Sequence, residues 1–293
     1  MPSPERTAAR VALAGIAASA VLAALKTGVG LAAHSVATVS DGVESAADVV
    51  SSGLVYLGLR IAAKPADEDH PYGHGRFETL TALAVGVLLA GAGVGICAHS
   101  LQTSSQMPAL FAIWPLGLSI ATKSVMAVVK MRAGRAARSA ALTADAWHDS
   151  VDILSGSVAL IAVLLAVYEP ERLHDADRYG GFLIGIIVIF MGFRVVRETA
   201  LQLVDTMPDS AQMAELRAQA LMVPGALAID KCYARKTGLR YHVDLHLEVD
   251  PNLTVLASHE IARAVKRHLK NRVDWVADVL VHVEPHLKSA AKL

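Results

Sequence analysis

Apolar residues dominate six long stretches in the first two thirds of the chain, and short polar connections separate them. The six runs cover about 11–33, 36–63, 80–98, 110–129, 140–168 and 180–204. A helix that crosses a bilayer needs about 20 mostly apolar residues, and each run is near or above that length. The pattern predicts six transmembrane helices, the first of them a retained helix and not a cleaved signal peptide.

From residue 208 onward the pattern changes to shorter elements. A helix is predicted at 212–221, where Pro224 and Gly225 end it, and a second helix at 254–268. Strands are predicted at 227–234, 240–249 and 277–283, with a turn at Gly238. This order predicts a small α+β domain at 208–293, separate from a transmembrane domain at 1–207.

Composition and charge agree with a membrane protein. The chain is 54% hydrophobic and 18% charged, its mean hydropathy is +0.43, and its formal net charge is zero. The first and third connections contain no Lys or Arg, so the positive-inside rule predicts that both termini are cytoplasmic. Basic residues lie instead before the first run (Arg6, Arg10), around the second connection (Arg60, Lys64, Arg76), in the fourth connection (Lys130, Arg132, Arg135, Arg138) and at the end of the sixth run (Arg194, Arg197). The two cysteines, Cys97 and Cys232, form no disulfide framework or redox motif.

Two of the predicted helices carry the same polar signature, D-x-x-[E/H]-x-x-x-D. Residues three, four and seven positions apart lie on one face of a helix. The members are Asp41, Glu44 and Asp48 in the second run, and Asp145, His148 and Asp152 in the fifth. Each helix therefore carries a column of carboxylate or imidazole groups among Ala, Val, Leu and Ile.

A charged side chain at the bilayer centre costs about 2.5 to 3.5 kcal/mol, so such a cluster must be compensated. Three carboxylates and one imidazole form a tetrahedral set that suits Zn²⁺, with Fe²⁺, Co²⁺ and Mn²⁺ as alternatives. The predicted ligands of this membrane site are Glu44, Asp48, His148 and Asp152.

Four further charged residues in the apolar runs have other interpretations. Asp41 and Asp145 lie one turn closer to the helix start, where a helix–helix hydrogen bond or the helix dipole explains an acid equally well. Lys26 can extend its ammonium group towards an interface. Neither Lys26 nor Lys123 is assigned a role.

The connection after the second run, KPADEDHPYGHGRFE, contains a second candidate metal site. Two histidines four residues apart, with an acid three residues before the first, can close on one ion. These residues are Asp67, His70 and His74. The alternative is a solvated loop in which Pro65, Pro71, Gly73 and Gly75 set turns.

In the C-terminal domain, polar and apolar residues alternate along two of the predicted strands. His246 and Glu248 alternate with valines and leucines in the second strand, and His282 and Glu284 do so in the third. One face is apolar and the other carries potential ligands. For His242 and His286 we expect a solvated sheet face.

These motifs closely resemble those of the cation diffusion facilitators, which are metal/proton antiporters. Three pieces match in order and spacing: the second-run carboxylates, the stretch KPADEDHPYGHGRFE, and H-x-x-x-D in the fifth run. The resemblance implies a homodimeric inner-membrane protein, in contact with lipid, that exports divalent cations such as Zn²⁺ in exchange for protons by alternating access. It also implies a ferredoxin-like cytoplasmic domain, and neither an enzyme, a prosthetic group nor a nucleic-acid partner.

The resemblance also assigns roles to residues. The transport site would be Glu44, Asp48, His148 and Asp152, the loop site Asp67, His70 and His74, and the cytoplasmic site His246, His259 and His282 with the adjacent Glu284. Glu44 stands where zinc members usually have His or Asp. Arg76 and Asp205 match an interlocking ion pair of the family.

Two other classes of function compete with transport. An intramembrane hydrolase is disfavoured because the chain has no H-E-x-x-H motif and the site leaves no ligand position for water. A non-transporting member that senses metal or scaffolds partners is the remaining alternative.

Overall fold

The computed structural model describes residues 4–103, 107–136, 140–238 and 240–287. Its helices are α1 (Pro4–Ala32), α2 (Val36–Ala62), α3 (Arg76–Gln102), α4 (Ile113–Ala136), α5 (Ala140–Tyr168), the short α6 (Pro170–Leu173), α7 (Ala176–Leu203), α8 (Ser210–Leu221) and α9 (Val255–Arg272). The strands are β1 (Ala228–Thr237), β2 (Arg240–Val249) and β3 (Val276–Pro285).

Five of the described helical segments are long and apolar enough to cross a bilayer. They are Leu13–Ala32, Arg76–Gln102, Leu110–Ala133, Ala146–Tyr168 and Ala176–Leu203. The structure therefore confirms a helical membrane region at the positions of five of the six predicted runs. Helix α2 is equally long but carries three acids, which lower its hydropathy.

Glycines allow α3 and α7 to pack closely. Gly86 and Gly93 on α3, and Gly185 and Gly192 on α7, are each seven residues apart and so share one helix face. A Cβ atom on Gly93 would lie only 2.7 Å from the backbone nitrogen of Ile189. Small residues at such a crossing let two backbones approach, which is the main source of helix–helix packing in lipid.

The C-terminal part forms the predicted small α+β domain. Its sheet has the order β1-β2-β3, in which β1 and β2 are antiparallel and β2 and β3 are parallel, with α9 as the crossover. Leu245 and Leu247 from the sheet are fully buried against Val265 and Leu269 of α9 and Leu216 of α8. The polar residues of β2 and β3 therefore occupy the opposite face.

Side-chain caps fix the starts of both helices in this domain. Asp209 accepts a hydrogen bond from the Gln212 N–H at 2.7 Å, and Thr254 accepts one from the Ala257 N–H at 3.2 Å. Such caps satisfy N–H groups that have no partner within the helix. At the β1–β2 hairpin, Gly238 adopts φ +67°, which other residues rarely tolerate.

The chain divides into two compact units. The first comprises 1–57 and 83–196, and the second comprises 58–82 and 197–293. The connection between α2 and α3 thus belongs to the same unit as the C-terminal residues.

Three basic residues assigned to the fourth connection lie elsewhere. Lys130, Arg132 and Arg135 belong to α4, because the helix continues beyond the end of the apolar run. Lys130 is buried at 3% exposure. The expectation of a loop position for these three residues is wrong, and Arg138 lies outside the described residues.

Candidate metal sites

Helices α2 and α5 bring three of the four predicted membrane ligands together. His148 Nε2 lies 3.3 Å from Asp48 Oδ1 and 3.9 Å from Asp152 Oδ1. The ligating atoms of all three residues lie within 4.8 Å of one another. An ion that binds such atoms at about 2.0 to 2.2 Å would draw them only slightly closer. The arrangement can hold one divalent ion.

Glu44 is not part of this three-residue group, although it lies one turn from Asp48 on α2. Its side chain is only 3% exposed. No described residue makes a hydrogen bond of ordinary distance and angle to either of its carboxylate oxygens, and the same holds for Asp48 Oδ2 and Asp152 Oδ1. A buried polar atom without a partner is costly, so these four oxygens are free to bind a ligand.

Three buried lysines, Lys26, Lys123 and Lys130, form ion pairs with acids of the first unit. Lys26 Nζ lies 2.7 Å from Asp41 Oδ2 and donates a hydrogen bond to Ser45. Lys26 is 1% exposed, so its ammonium group pairs within the protein and does not extend into water. Asp41 is explained by this helix–helix pairing, whereas the side chain of Asp145 lies outside those described.

Sequence reasoning missed the two lysines of α4 that face α5. Lys123 Nζ lies 2.5 Å from Asp152 Oδ2 and 3.1 Å from Asp149 Oδ1. Lys130 Nζ lies 2.6 Å from Asp149 Oδ2. The available signal was spacing, since Lys123 and Lys130 are seven residues apart on one helix face and Asp149 is four residues after Asp145 on α5.

The connection between α2 and α3 brings its three predicted ligands together without a helix. Asp67 Oδ1 lies 3.0 Å from His70 Nδ1, and Asp67 Oδ2 lies 3.4 Å from His74 Nε2. Gly73, at φ +79°, allows the turn that returns His74 to Asp67. The ligating atoms of the three residues lie within 4.8 Å of one another.

Hydrogen bonds prepare this loop group for ligation. The backbone N–H of His70 donates to Asp67 Oδ1 at 2.7 Å, which lowers the pKa of the Asp67 carboxyl below its usual range. His74 Nδ1 lies 3.1 Å from the Pro65 carbonyl oxygen. In the tautomer that donates this bond, Nε2 keeps its lone pair on the side of Asp67, as metal-ligating histidines generally do.

On the sheet, β2 and β3 bring His246, His282 and Glu284 together. His246 and His282 are register partners, and Glu284 Oε1 lies 2.6 Å from His246 Nδ1 and 3.6 Å from His282 Nε2. The three ligating atoms lie within 4.8 Å of one another. His259 is not in this group and lies exposed near the start of α9.

His242 and His286 are partly exposed, as expected for a solvated sheet face, and each also contacts a neighbouring side chain. His286 Nδ1 lies 2.7 Å from Glu248 Oε2, and Glu248 is 5% exposed. The ring of His242 stands edge-on to Tyr72 at a centroid distance of 5.7 Å. Partial burial lowers the pKa of His242.

Two family models match the chain. The cation efflux transmembrane domain matches residues 12–204, and the cytoplasmic domain of cation efflux proteins matches residues 208–286. Together they cover most of the helices and the whole sheet described above.

Curated relatives give the same assignment. The manganese efflux system protein MneP of Bacillus subtilis (strain 168) is 29% identical, over 97% of this chain and 98% of its own. The transporter YdbO of the same organism is 32% identical, over 94% of each chain. Metal tolerance protein C1 of Arabidopsis thaliana is 29% identical over 92% of this chain, which spans 61% of that protein's length.

Members of this family are transporters and not enzymes. The family model that matches residues 208–286 describes a cytoplasmic dimerisation domain. The chain belongs to the cation efflux family and is a multi-pass membrane transporter of divalent metal ions.

Proposed function

We propose that this chain exports divalent metal ions from the cytoplasm in exchange for protons, with Zn²⁺ as the main substrate and Fe²⁺ or Mn²⁺ as alternatives. One observation carries the proposal: four buried carboxylate oxygens of Glu44, Asp48 and Asp152 receive no hydrogen bond of ordinary distance and angle from the described residues. They lie on the two helices that also hold His148. Unpaired acids within a membrane are costly unless a cation compensates them.

The proposed transport site consists of Glu44, Asp48, His148 and Asp152. Three oxygen donors and one nitrogen donor suit Zn²⁺, and the oxygen-rich set also suits Mn²⁺. The relative MneP is named for manganese efflux, which supports Mn²⁺ as an alternative substrate. In this proposal the Glu44 side chain turns towards the other three ligands and completes a tetrahedral set.

Helix α2 is proposed as a sixth transmembrane span, with both termini on the cytoplasmic side of the cell (inner) membrane. Its length of 27 residues supports this assignment. Its acids face buried positions and not lipid, since Asp41 and Glu44 are at most 3% exposed. The absence of Lys and Arg from the first and third connections supports the orientation.

Proton exchange follows from the chemistry of the donor set. Metal binding requires a neutral imidazole and ionised carboxylates, so binding releases protons and protonation releases metal. Protons that enter from the outer side would displace the ion there. Alternating access of the helical bundle would then return a protonated site to the cytoplasm.

We also propose a division of the chain into two domains and two further metal sites. Residues 1–207 are proposed as the transport domain, and 208–293 as a ferredoxin-like domain that binds metal and forms a homodimer. The loop group at Asp67 and the sheet group at His246 are proposed metal sites. Their close ligand spacing supports this role. His259 is retained as a proposed ligand outside the sheet group.

Metal flux into proteoliposomes tests the proposal. Asp152→Asn should abolish Zn²⁺ uptake in a folded protein, because it removes one ligand and one negative charge. Asp177→Asn is the matched control: Asp177 is also buried in the first unit, but it accepts hydrogen bonds from the Ser35 hydroxyl and the Val36 N–H. This control should keep its flux.

If the Asp152→Asn variant takes up Zn²⁺ as fast as the wild type, the assignment of the transport site is wrong. No flux in the wild type with Zn²⁺, Fe²⁺ or Mn²⁺, while the cytoplasmic groups still bind metal, would support the non-transporting sensor instead.

A further inference from the structure

Lys123 on α4 extends into the membrane site and touches one of its proposed ligands. Its ammonium lies 2.5 Å from Asp152 Oδ2, 3.1 Å from Asp149 Oδ1 and 3.0 Å from Ser19 Oγ. The side chain is only 6% exposed. A positive charge is therefore fixed against Asp152, on the carboxylate oxygen that does not face His148.

This contact places the lysine in competition with a divalent ion. Both cations are drawn to the Asp152 carboxylate, and two positive charges a few ångströms apart repel strongly in a poorly solvated interior. An ion bound between Asp48, His148 and Asp152 would therefore weaken the contact between Lys123 and Asp152.

Asp149 provides a second position for the same ammonium. It already accepts a hydrogen bond from Lys123, and its other oxygen is paired with Lys130 at 2.6 Å. Because Lys123 spans Asp149 and Asp152, a small rotation of its side chain is enough to leave one acid and keep the other. Ser19 on α1 accepts a further hydrogen bond from the ammonium.

We propose that Lys123 is a tethered counter-cation of the transport site, which neutralises Asp152 when the site is empty and moves towards Asp149 when a divalent metal ion binds. This inference rests on the proposed function, because it takes Asp152 as a ligand. Lys123 opposes metal binding and thereby favours metal release and the return of the empty site. It acts through Asp152 and is a positioning residue.

The Lys26–Asp41 pair gives a matched comparison within the same unit. Lys26 is equally buried and its Nζ lies 2.7 Å from Asp41 Oδ2, but Asp41 is outside the three-residue ligand group. A lysine that merely joins two helices, as Lys26 joins α1 to α2, should affect stability alone. A counter-cation should also affect the apparent metal affinity.

Initial rates of Zn²⁺ uptake into proteoliposomes, measured over a range of Zn²⁺ concentrations at one fixed pH gradient, separate these roles. Lys123→Gln should lower KM by at least about fivefold, the lower end of typical coupling between two sites, and should also lower the maximal rate. Lys123→Arg keeps the charge and should have a KM closer to that of the wild type. Lys26→Gln should lower thermal stability and leave KM unchanged.

A second variant should shift KM in the opposite direction. The double substitution Asp149→Asn with Lys130→Gln removes one acid and its partner, so that among the described side chains Lys123 is left with Asp152 as its acidic hydrogen-bond partner. The ammonium then resists displacement, and KM should rise by at least about fivefold. This variant decides the question if Lys123→Gln does not fold.

An unchanged or raised KM in Lys123→Gln would overturn the proposal, as would an equal fall of KM in Lys26→Gln. For the double variant, an unchanged or lowered KM would have the same meaning. Failure of the proposed function is distinguishable in the same assay, because there the wild type shows no flux or Asp152→Asn transports like the wild type. Either of those results removes the counter-cation as well.

Discussion

Arg76 donates a hydrogen bond to Asp205, with Nη2 and Oδ1 2.9 Å apart, and joins the start of α3 to the residues that follow α7. Both side chains are about half exposed. Asp205 also has a φ of +57°, a left-handed conformation that Asp and Asn tolerate better than most residues. The residue thus serves both the ion pair and the backbone turn.

Two substitutions at Asp205 should separate these contributions. Asp205→Asn keeps the left-handed backbone and loses the charge, so it should lower the free energy of unfolding by no more than about 1 kcal/mol, the usual range for exposed ion pairs. Asp205→Ala should cost about 1 to 2 kcal/mol more, because Ala does not tolerate this backbone conformation. Thermal unfolding in detergent measures both effects, and equal losses would show that the backbone conformation contributes nothing.

Glu44 should influence which metal is transported. Glu44→His replaces an oxygen donor with an imidazole and should shift the preference from Mn²⁺ towards Zn²⁺. Parallel flux measurements with the two ions give the selectivity ratio. Glu44→Gln is the control, because it removes the charge without adding an imidazole. A ratio that neither substitution changes would exclude Glu44 from the coordination shell.

The sheet group should bind metal in a pH-dependent way. The fragment from residue 208 onward should fold, dimerise and bind Zn²⁺, and His246→Ala combined with His282→Ala should reduce its affinity strongly. Affinity should also fall as the solution is made acidic, because ligation needs neutral imidazole and protons compete with the metal ion for the same nitrogen atoms.

Calorimetry on this fragment provides the comparison. His268→Ala is a suitable control, since His268 lies on α9 and its Nε2 is 3.0 Å from Gln219 Oε1, away from the group. If the double variant binds as tightly as the wild type, the two histidines are surface residues without a role in metal binding.

Transport should depend on a proton gradient directed against metal movement. The site has three acids. If it is empty and unprotonated, its return to the cytoplasmic side costs free energy, because uncompensated charges then lie within the membrane. Lys123 offsets one of these charges, and protons must compensate the others. A protonophore should therefore slow Zn²⁺ accumulation sharply, whereas a potassium ionophore that collapses only the membrane potential should have a smaller effect. Undiminished accumulation with no change in vesicle pH would favour a facilitated channel.

The polar columns show how far local sequence reasoning reached in the membrane region. Periodicity placed Asp48 on one helix face and His148 and Asp152 on another, and the structure brings these three together. Helical periodicity did not reveal that Glu44 lies outside this three-residue group. A spacing of four residues determines a shared face, but the rotation and axial offset of α2 against α5 determine which turn faces the partner helix.

The lysines mark the limit of that reasoning. Lys123 and Asp152 are 29 residues apart on different helices. Lys26 on α1 pairs with Asp41 on α2, across the connection between these two helices. An isolated Lys in an apolar run is equally consistent with a position near the interface. Only helix packing decides that these ammonium groups are buried against acids.

By itself, the sequence determined the membrane class, the order of the helices and strands, and the alternation that puts His246 and His282 on one sheet face. These properties depend on composition and on periods of 2 and 3.6 residues, which are local. The tertiary structure decided the contacts between distant segments: Arg76 with Asp205, His246 with Glu284, and Lys123 with Asp152. Such contacts depend on the relative placement of elements, because a hydrogen bond requires its two atoms within about 3 Å and sequence periodicity does not specify that distance.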